Sequence, residues 1–180
     1  MGIASCVAVE SEAELRNFDC GVSTIKEFVA TSFYPHIIKQ RKVYKILVRE
    51  AKVGFMSVSI SNISLAHSDA PVAEYYADPP SFGAVKLDYI AVDKRVQKLG
   101  IGSTALKYII QEARELHKTW PVRLLVLDAI RERIDWYKEL GFEAVSQAEL
   151  KSDSPTVPMY IDLMPESEKK SLDTYATRMC

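Results

Sequence analysis

Gln97-Lys98-Leu99-Gly100-Ile101-Gly102 lies between a β-rich run, Ala84 to Val92, and a strongly periodic helix expected to begin near Ser103. Two of the seven glycines fall within three residues, where a strand hands over to a helix and the backbone must approach something closely. Strand, turn and helix N-terminus together make a cradle for a diphosphate. Amides of Gly100, Ile101, Gly102 and Ser103 can point into one concavity, and the helix dipole adds about half a positive charge there. Taken alone, the same spacing also serves to close a helix tightly onto a strand. No third glycine and no Gly-Lys-Ser/Thr follows, so Rossmann and P-loop patterns are excluded, and nucleotide hydrolysis with them.

Downstream, Leu106, Ile109, Ile110, Ala113, Leu116 and His117 recur at helical spacing, and Pro121 stops that helix. Val122 to Leu127 is a nearly continuous apolar run, as a strand covered on both faces requires. Strand, helix, strand implies a right-handed parallel crossover. Asp128 is placed to cap the next helix, with Ile130, Ile134, Tyr137 and Leu140 on one stripe, Gly141 as a left-handed stop and Phe142 opening another strand. Val157 to Leu163 reads as the last strand, and residues 165–180 as a charged tail on which Leu172, Tyr175, Ala176 and Met179 share a weak face.

Upstream, Ile3 to Val9 is an opening strand, and Ser11 with Glu14 forms a capping-box pattern for a brief helix. Ser23 caps a second helix whose apolar face is Ile25, Phe28, Val29 and Phe33, and which Pro35 ends. Val43 to Val48 and Val53 to Ile60 read as a hairpin across the turn Arg49 to Lys52. Residues 61–82 carry Pro71, Pro79 and Pro80 and read as a long loop, with Glu74-Tyr75-Tyr76 as a single helical turn. In the strand before the glycines, Asp88 is expected on the face of Lys86, Ile90 and Val92, an unusual place for a carboxylate.

The chain has 180 residues, 48% of them hydrophobic, which is enough to bury a sheet and several helices in one domain. The fold expected is α+β: a mixed, mostly antiparallel sheet with a central strand-helix-strand crossover and helices on both faces, over residues 1–164, followed by the tail. A net charge of -1 excludes nucleic-acid binding by bulk charge but leaves room for local basic patches. Cys6, Cys20 and Cys180, and His36, His67 and His117, lack the spacing of metal or redox sites, so no metal is expected. With no leader pattern and no apolar run long enough to span a bilayer, the chain is expected to be soluble, unprocessed and cytoplasmic, away from membranes.

Three further stretches give the glycines their context. Ile90-Ala91-Val92-Asp93, then Arg95-Val96-Gln97-Lys98-Leu99-Gly100-Ile101-Gly102 with Ala105-Leu106, and Trp136-Tyr137-Lys138-Glu139-Leu140-Gly141-Phe142, resemble the acetyl-CoA signature of the GNAT N-acetyltransferase superfamily. The resemblance spans about Ile3 to Leu163 and is sharpest from Leu87 to Phe142. It implies acetyl-CoA as cosubstrate. Main-chain groups of Ile90 and Val92 would pair with the pantetheine arm, and amides of Gln97, Lys98, Leu99, Gly100, Ile101, Gly102 and Ser103 would hold the pyrophosphate. Lys94, Arg95 and Lys98 are either counter-charges to phosphate or solvated turn residues. A backbone amide near Val92 would polarise the thioester carbonyl.

Tyr137 is similar in position to the tyrosine that many such enzymes place opposite the CoA sulfur, where a protonated phenol serves as general acid; the other reading is a core tyrosine on its stripe. Asp88 is the candidate proton acceptor, against direct attack by an already neutral amine. A narrower likeness, through Asn17-Phe18-Asp19-Cys20-Gly21, Ile25 to Phe28 and the Pro79-to-Gly83 segment, is to TacT-like GNAT toxins, which acetylate aminoacyl-tRNA. It implies tRNA as acceptor and a cognate antitoxin as partner, with phosphates met by Lys39, Arg41, Lys42, Lys45, Arg131 and Arg133, while the tail and the Ser61-to-Phe82 loop are candidate surfaces for a homodimer or for antitoxin binding. The alternatives are a GNAT enzyme acting on a small amine or on a protein lysine or N-terminus, and a non-catalytic CoA-binding module.

Overall fold

The computed structural model describes residues 4–64 and 81–179. The strands are β1 (Ala4–Ala8), β2 (Lys42–Val48), β3 (Ala51–Ser64), β4 (Ser81–Val92), β5 (Val122–Ile130), β6 (Glu143–Ala144) and β7 (Thr156–Asp162), and the helices α1 (Ser23–Ala30), α2 (Phe33–Ile37), α3 (Ile101–His117), α4 (Ile134–Glu139), α5 (Gln147–Lys151) and α6 (Glu166–Met179). They form the expected mixed, mostly antiparallel seven-stranded sheet, in the order β1-β2-β3-β4-β5-β7-β6. Between β4 and β5 in the chain lies α3, the helix of the anticipated crossover. The chain clusters into two compact units, Met1–Ile60 with Lys86–Gln111, and Ser61–Val85 with Glu112–Cys180.

In the first unit, β2 carries the two faces of the sheet in adjacent residues. Val43 joins Leu15, Phe18, Val29, Phe55, Tyr89 and Ala91 in a core completed by Ile25 and Phe33, so this face is covered by α1 and the segment before it. Tyr44 turns the other way and meets Tyr108 of α3 edge-on, ring centroids 5.9 Å apart. Helices therefore cover both faces. The α3 positions Ile101, Ala105, Leu106, Ile109 and Ile110 are buried at helical spacing, which accounts for the strong periodicity of that stretch. Gly54 is required where β3 passes β4, because a Cβ there would collide with the Ala91 carbonyl.

In the second unit, Phe82, Ala84, Leu124, Val126 and Tyr160 form the core, with Ile63 and Val145 packed on it. Strands β5 and β7 pair antiparallel from Leu124↔Asp162 to Ile130↔Thr156. The buried Arg123 forks onto Asp162 at 2.6 and 3.0 Å, and Lys169 of α6 reaches the same carboxylate at 3.4 Å, docking the start of the tail.

Several expectations are corrected. The Ser11–Glu14 pattern yields a 3-10 turn, Glu12–Leu15, in which Ser11 caps nothing while Glu14 accepts from the Glu10 amide at 2.8 Å. Helix α1 starts at Ser23 with Val22 as its cap residue, so Ser23 is not the cap. Pro35 sits inside α2 instead of ending a helix, since a proline in the first turn forfeits no intrahelical bond. Strand β3 continues to Ser64 and β4 starts at Ser81, which shortens the expected loop at both ends; Glu74-Tyr75-Tyr76 lies outside the described residues. The β2–β3 turn is the two residues Arg49 and Glu50, with φ of 49° and 66°.

Candidate active site

The stretch read as a diphosphate cradle is built by the end of β4, the turn and the start of α3, all in the first unit. The Asp93 amide donates to the Val53 carbonyl at 2.8 Å. Backbone groups alternate along a strand, so those of Ile90 and Val92 face away from β3, the direction in which an added extended segment would pair. The Gln97 side chain then folds the turn back: its amide nitrogen donates to the carbonyls of Val92 and Cys20, both at 2.9 Å. Lys98 at φ +62° and Gly100 at φ +77° reverse the chain through the left-handed region, which suits glycine and strains lysine.

Helix α3 begins at Ile101, two residues earlier than Ser103, because the Gly100 carbonyl already accepts from the Thr104 amide at 3.1 Å. Ile101, Gly102 and Ser103 make the first turn, whose N–H groups lie ahead of the helix's own carbonyl ladder and add to its positive end. Leu99 is exposed and adds no core packing. A diphosphate fits this donor set.

The neighbouring cations are largely committed elsewhere. Arg95 grips Asp93 through its Nε and Nη2, at 2.8 and 2.9 Å, and this hydrogen bonding holds the Asp93 carboxyl down at about 2. Lys94 pairs with Asp19 at 2.6 Å. Lys98 forms no ion pair with any of the described residues and is the cation left at the turn.

Tyr137 belongs to the second unit. Strand β5 runs on to Ile130, with Asp128 opposite Pro158, so Asp128 is a strand residue and not a cap, and the exposed Ile130 leaves the expected stripe. A 3-10 turn, Arg131–Arg133, leads into α4. The Tyr137 carbonyl accepts from the Leu140 and Phe142 amides at 3.0 and 3.1 Å, and Gly141 supplies the left-handed stop at φ +93°. The phenol ring lies 4.7 Å from Trp136 and 5.6 Å from the buried Phe142. Burial in this aromatic setting pushes its pKa up to about 12, with Arg133 pulling weakly the other way. Its hydroxyl bonds to none of the described residues. A phenol so placed is protonated at neutral pH and keeps its O–H available as a donor.

Asp88 accepts from the Ser57 and Ser59 hydroxyls, each at 2.8 Å, one on each carboxylate oxygen. Ser57 is paired with Val43 and therefore shares the α1 face, as does Tyr89, whose hydroxyl reaches Ser32 at 3.4 Å. Adjacent residues of a regular strand cannot share a face, so the alternation breaks between Asp88 and Tyr89. Asp88 thus keeps the face of Lys86 but not that of Ile90 and Val92, which corrects that part of the expectation.

Two of the six expected phosphate contacts are structural. Lys45 is bound to Glu14. Arg131 donates to the carbonyls of Glu149, Leu150, Ser152 and Ser154. Neither the strut role of Gln97 nor the two serines around Asp88 was foreseen, because these contacts join residues far apart in sequence. Helix α5 was also missed, although Ser146 and Glu149 have capping-box spacing: the Ser146 hydroxyl accepts from the Glu149 amide at 3.1 Å and caps the helix. Among the described residues no group of His, Cys, Asp and Glu side chains can hold a metal, and no helix is long and apolar enough to cross a membrane.

The turn between β4 and α3 falls inside a match, over residues 31–142, to the model of the acetyltransferase (GNAT) family. The chain belongs to that family. It is accordingly an acetyltransferase, with acetyl-CoA as the acetyl donor. No curated protein matches it. Among solved structures it resembles AtaT complexed with acetyl-methionyl-tRNAfMet, at 17% identity and a TM-score of 0.74 over 96% of this chain and 98% of that one. A tyrosine-to-phenylalanine mutant of KacT matches at 16% identity and a TM-score of 0.74, covering 96% and 98%. A crystal structure described as a bacterial toxin matches at 20% identity and 0.73, covering 91% and 92%. At these identities the likeness establishes the shared GNAT fold.

Proposed function

We propose that this GNAT enzyme acetylates the amino group of aminoacyl-tRNA and acts in the cytoplasm as the toxin of a toxin-antitoxin pair, held in check by a cognate antitoxin. The observation that carries the reading is the full-length likeness to AtaT, which was solved with acetyl-methionyl-tRNAfMet and also bound to the antitoxin AtaR. Exposed Lys39, Lys42 and Arg133 support phosphate contact; Lys45 and Arg131, tied internally, do not.

Ile90 and Val92 pair with the pantetheine arm, and the amides from Gln97 through Lys98, Leu99, Gly100, Ile101 and Gly102 to Ser103 hold the pyrophosphate. The Val92 amide points away from β3 and stabilises the oxyanion. The amine nitrogen attacks the thioester carbon, the C–N bond forms, the C–S bond breaks and sulfur departs with the bonding pair. The nitrogen gives up its excess protons, one by way of Asp88, and one proton ends on the sulfur. Full transfer from a phenol at about 12 to a thiolate whose thiol pKa is near 8.5 is uphill by roughly 5 kcal/mol, so Tyr137 acts by donating a hydrogen bond to the developing thiolate.

The test is mass spectrometry of products after incubation with acetyl-CoA and a mixture of charged tRNA, peptides and polyamines. Acetylated aminoacyl-tRNA is the expected product. Acetylated peptide or polyamine with untouched tRNA overturns the tRNA reading in favour of a small-amine or protein acceptor, and acetyl-CoA binding without transfer overturns catalysis itself.

A further inference from the structure

Asp88 is a half-buried carboxylate that no acetyl-CoA contact uses. Its neighbours Leu87 and Tyr89 are buried, and Ser57, which donates to it, is fully enclosed. The two serine hydroxyls occupy one acceptor direction on each oxygen, and a carboxylate offers about four. Among the described residues no lysine, arginine or histidine pairs with it. A carboxylate withdrawn from water is retained with a cation or further donors, and here the remaining acceptor directions have none from the described chain.

Arg41 presents the opposite case on the same face. Its guanidinium stacks over Phe28, 4.6 Å from the ring centre, while its Nε is buried with no hydrogen-bond partner among the described residues. Phe28 in turn meets Tyr89 edge-on at 4.9 Å. Burial raises the Tyr89 phenol to about 12, Arg41 opposing and Asp88 adding to the rise, so both charges lie within electrostatic reach of that ring. An acceptor-only group and a donor-only group therefore flank one aromatic pair.

We infer that this is the acceptor subsite: Asp88, oriented by Ser57 and Ser59, receives the primary ammonium group, and Arg41 receives an anionic group carried by the same acceptor. The inference rests on the reading that the chain acetylates an amine, and it names the amine's class. A backbone phosphodiester near the 3′ end of aminoacyl-tRNA and the carboxylate of a free amino acid both supply the anion. Ser57 and Ser59 are positioning residues that act through Asp88.

Steady-state CoA release is measured with methionyl-tRNA, free methionine, methioninamide and spermidine as probes. Asp88→Asn raises the acceptor KM about 10- to 100-fold and leaves the acetyl-CoA KM unchanged, as loss of a charge-assisted contact requires. Ser59→Ala raises the acceptor KM by a smaller factor and Ser59→Thr restores it, which a purely structural role does not predict. Arg41→Gln raises KM for methionyl-tRNA or for methionine, identifying phosphate or carboxylate as the anion, and leaves methioninamide unchanged. An acceptor KM unmoved by Asp88→Asn, or Ser59→Ala and Ser59→Thr behaving alike, overturns the subsite while acetyl transfer stands. A wild-type enzyme that acetylates spermidine but none of the other three has the same consequence. Acetyl-CoA binding without transfer to any probe overturns the acetyltransfer reading and the subsite together.

Discussion

Arg131 separates a structural role from a phosphate contact by a single pair of substitutions. Its guanidinium gathers the carbonyls at the end of α5 and the following loop: Nε to Ser154 at 2.6 Å, Nη1 to Leu150 at 3.0 Å, and Nη2 to Glu149 at 3.2 Å and to Ser152. Leu150 is at the helix end, where carbonyls lack intrahelical partners, Ser152 and Ser154 follow it, and Glu149 also accepts from the Ser152 amide at 3.3 Å. A hydrogen bond from a charged donor contributes about 1.5 to 3 kcal/mol, but four made by one half-buried group are not additive and the carbonyls can partly rehydrate. Arg131→Met is therefore expected to cost about 2 to 4 kcal/mol. At about 2 to 4 °C per kcal/mol for a chain of this size, the melting temperature falls by roughly 5 to 15 °C. Arg131→Lys keeps the charge but not the planar fork and loses most of the same stability. Differential scanning calorimetry of both variants, beside tRNA KM, is the assay. A melting temperature within a degree of wild type, with Arg131→Lys retaining tRNA affinity and Arg131→Met losing it, would refute the strut and restore the phosphate contact.

Tyr137→Phe is expected to lower kcat by about 100-fold with acetyl-CoA affinity unchanged by calorimetry, and to relieve growth arrest on overexpression. Because the Tyr137 phenol is held at about 12, the donor form persists through the alkaline range, and the pH-rate profile should show no Tyr137-dependent fall below about pH 11. Arg49 and Glu50 occupy a two-residue turn with positive φ at both positions, so replacing them with Asn-Gly should stabilise the fold by about 1 to 2 kcal/mol in urea titrations. Arg95 depresses the Asp93 carboxyl from 3.8 to about 2, so the pair's stabilisation is complete above pH about 4 and lost as pH falls towards 2. The effect is small because the Arg95 side chain is 76% exposed, and Asp93→Asn should flatten that acid limb in denaturant titrations at pH 2 to 5.

Local chemistry made much of the fold, and the turn proposed to hold acetyl-CoA, legible in the sequence. The α3 stripe, the apolar run of β5, the left-handed Gly141 and the glycine turn each depend on neighbours within a few residues, where periodicity and backbone preference operate. Tyr137 was proposed from the family resemblance of the short pattern that ends in Gly141-Phe142. What depended on distant partners was out of reach. Asp128 looks like a cap in sequence, but pairing with β7 carries β5 past it to Ile130. Lys45 and Arg131 look like free charges until Glu14 and the α5 carbonyls are brought to them. Asp88 was visible as an odd carboxylate, but only packing supplied Ser57, Ser59 and the break in alternation that turns it to the α1 face. Sequence by itself determined the strand, glycine turn and helix and, through the motifs around them, the GNAT family, since these are written in short contiguous stretches. Tertiary structure alone decided which charges remain for the acceptor, because a charge is spent or spared by partners 18 to 31 residues away.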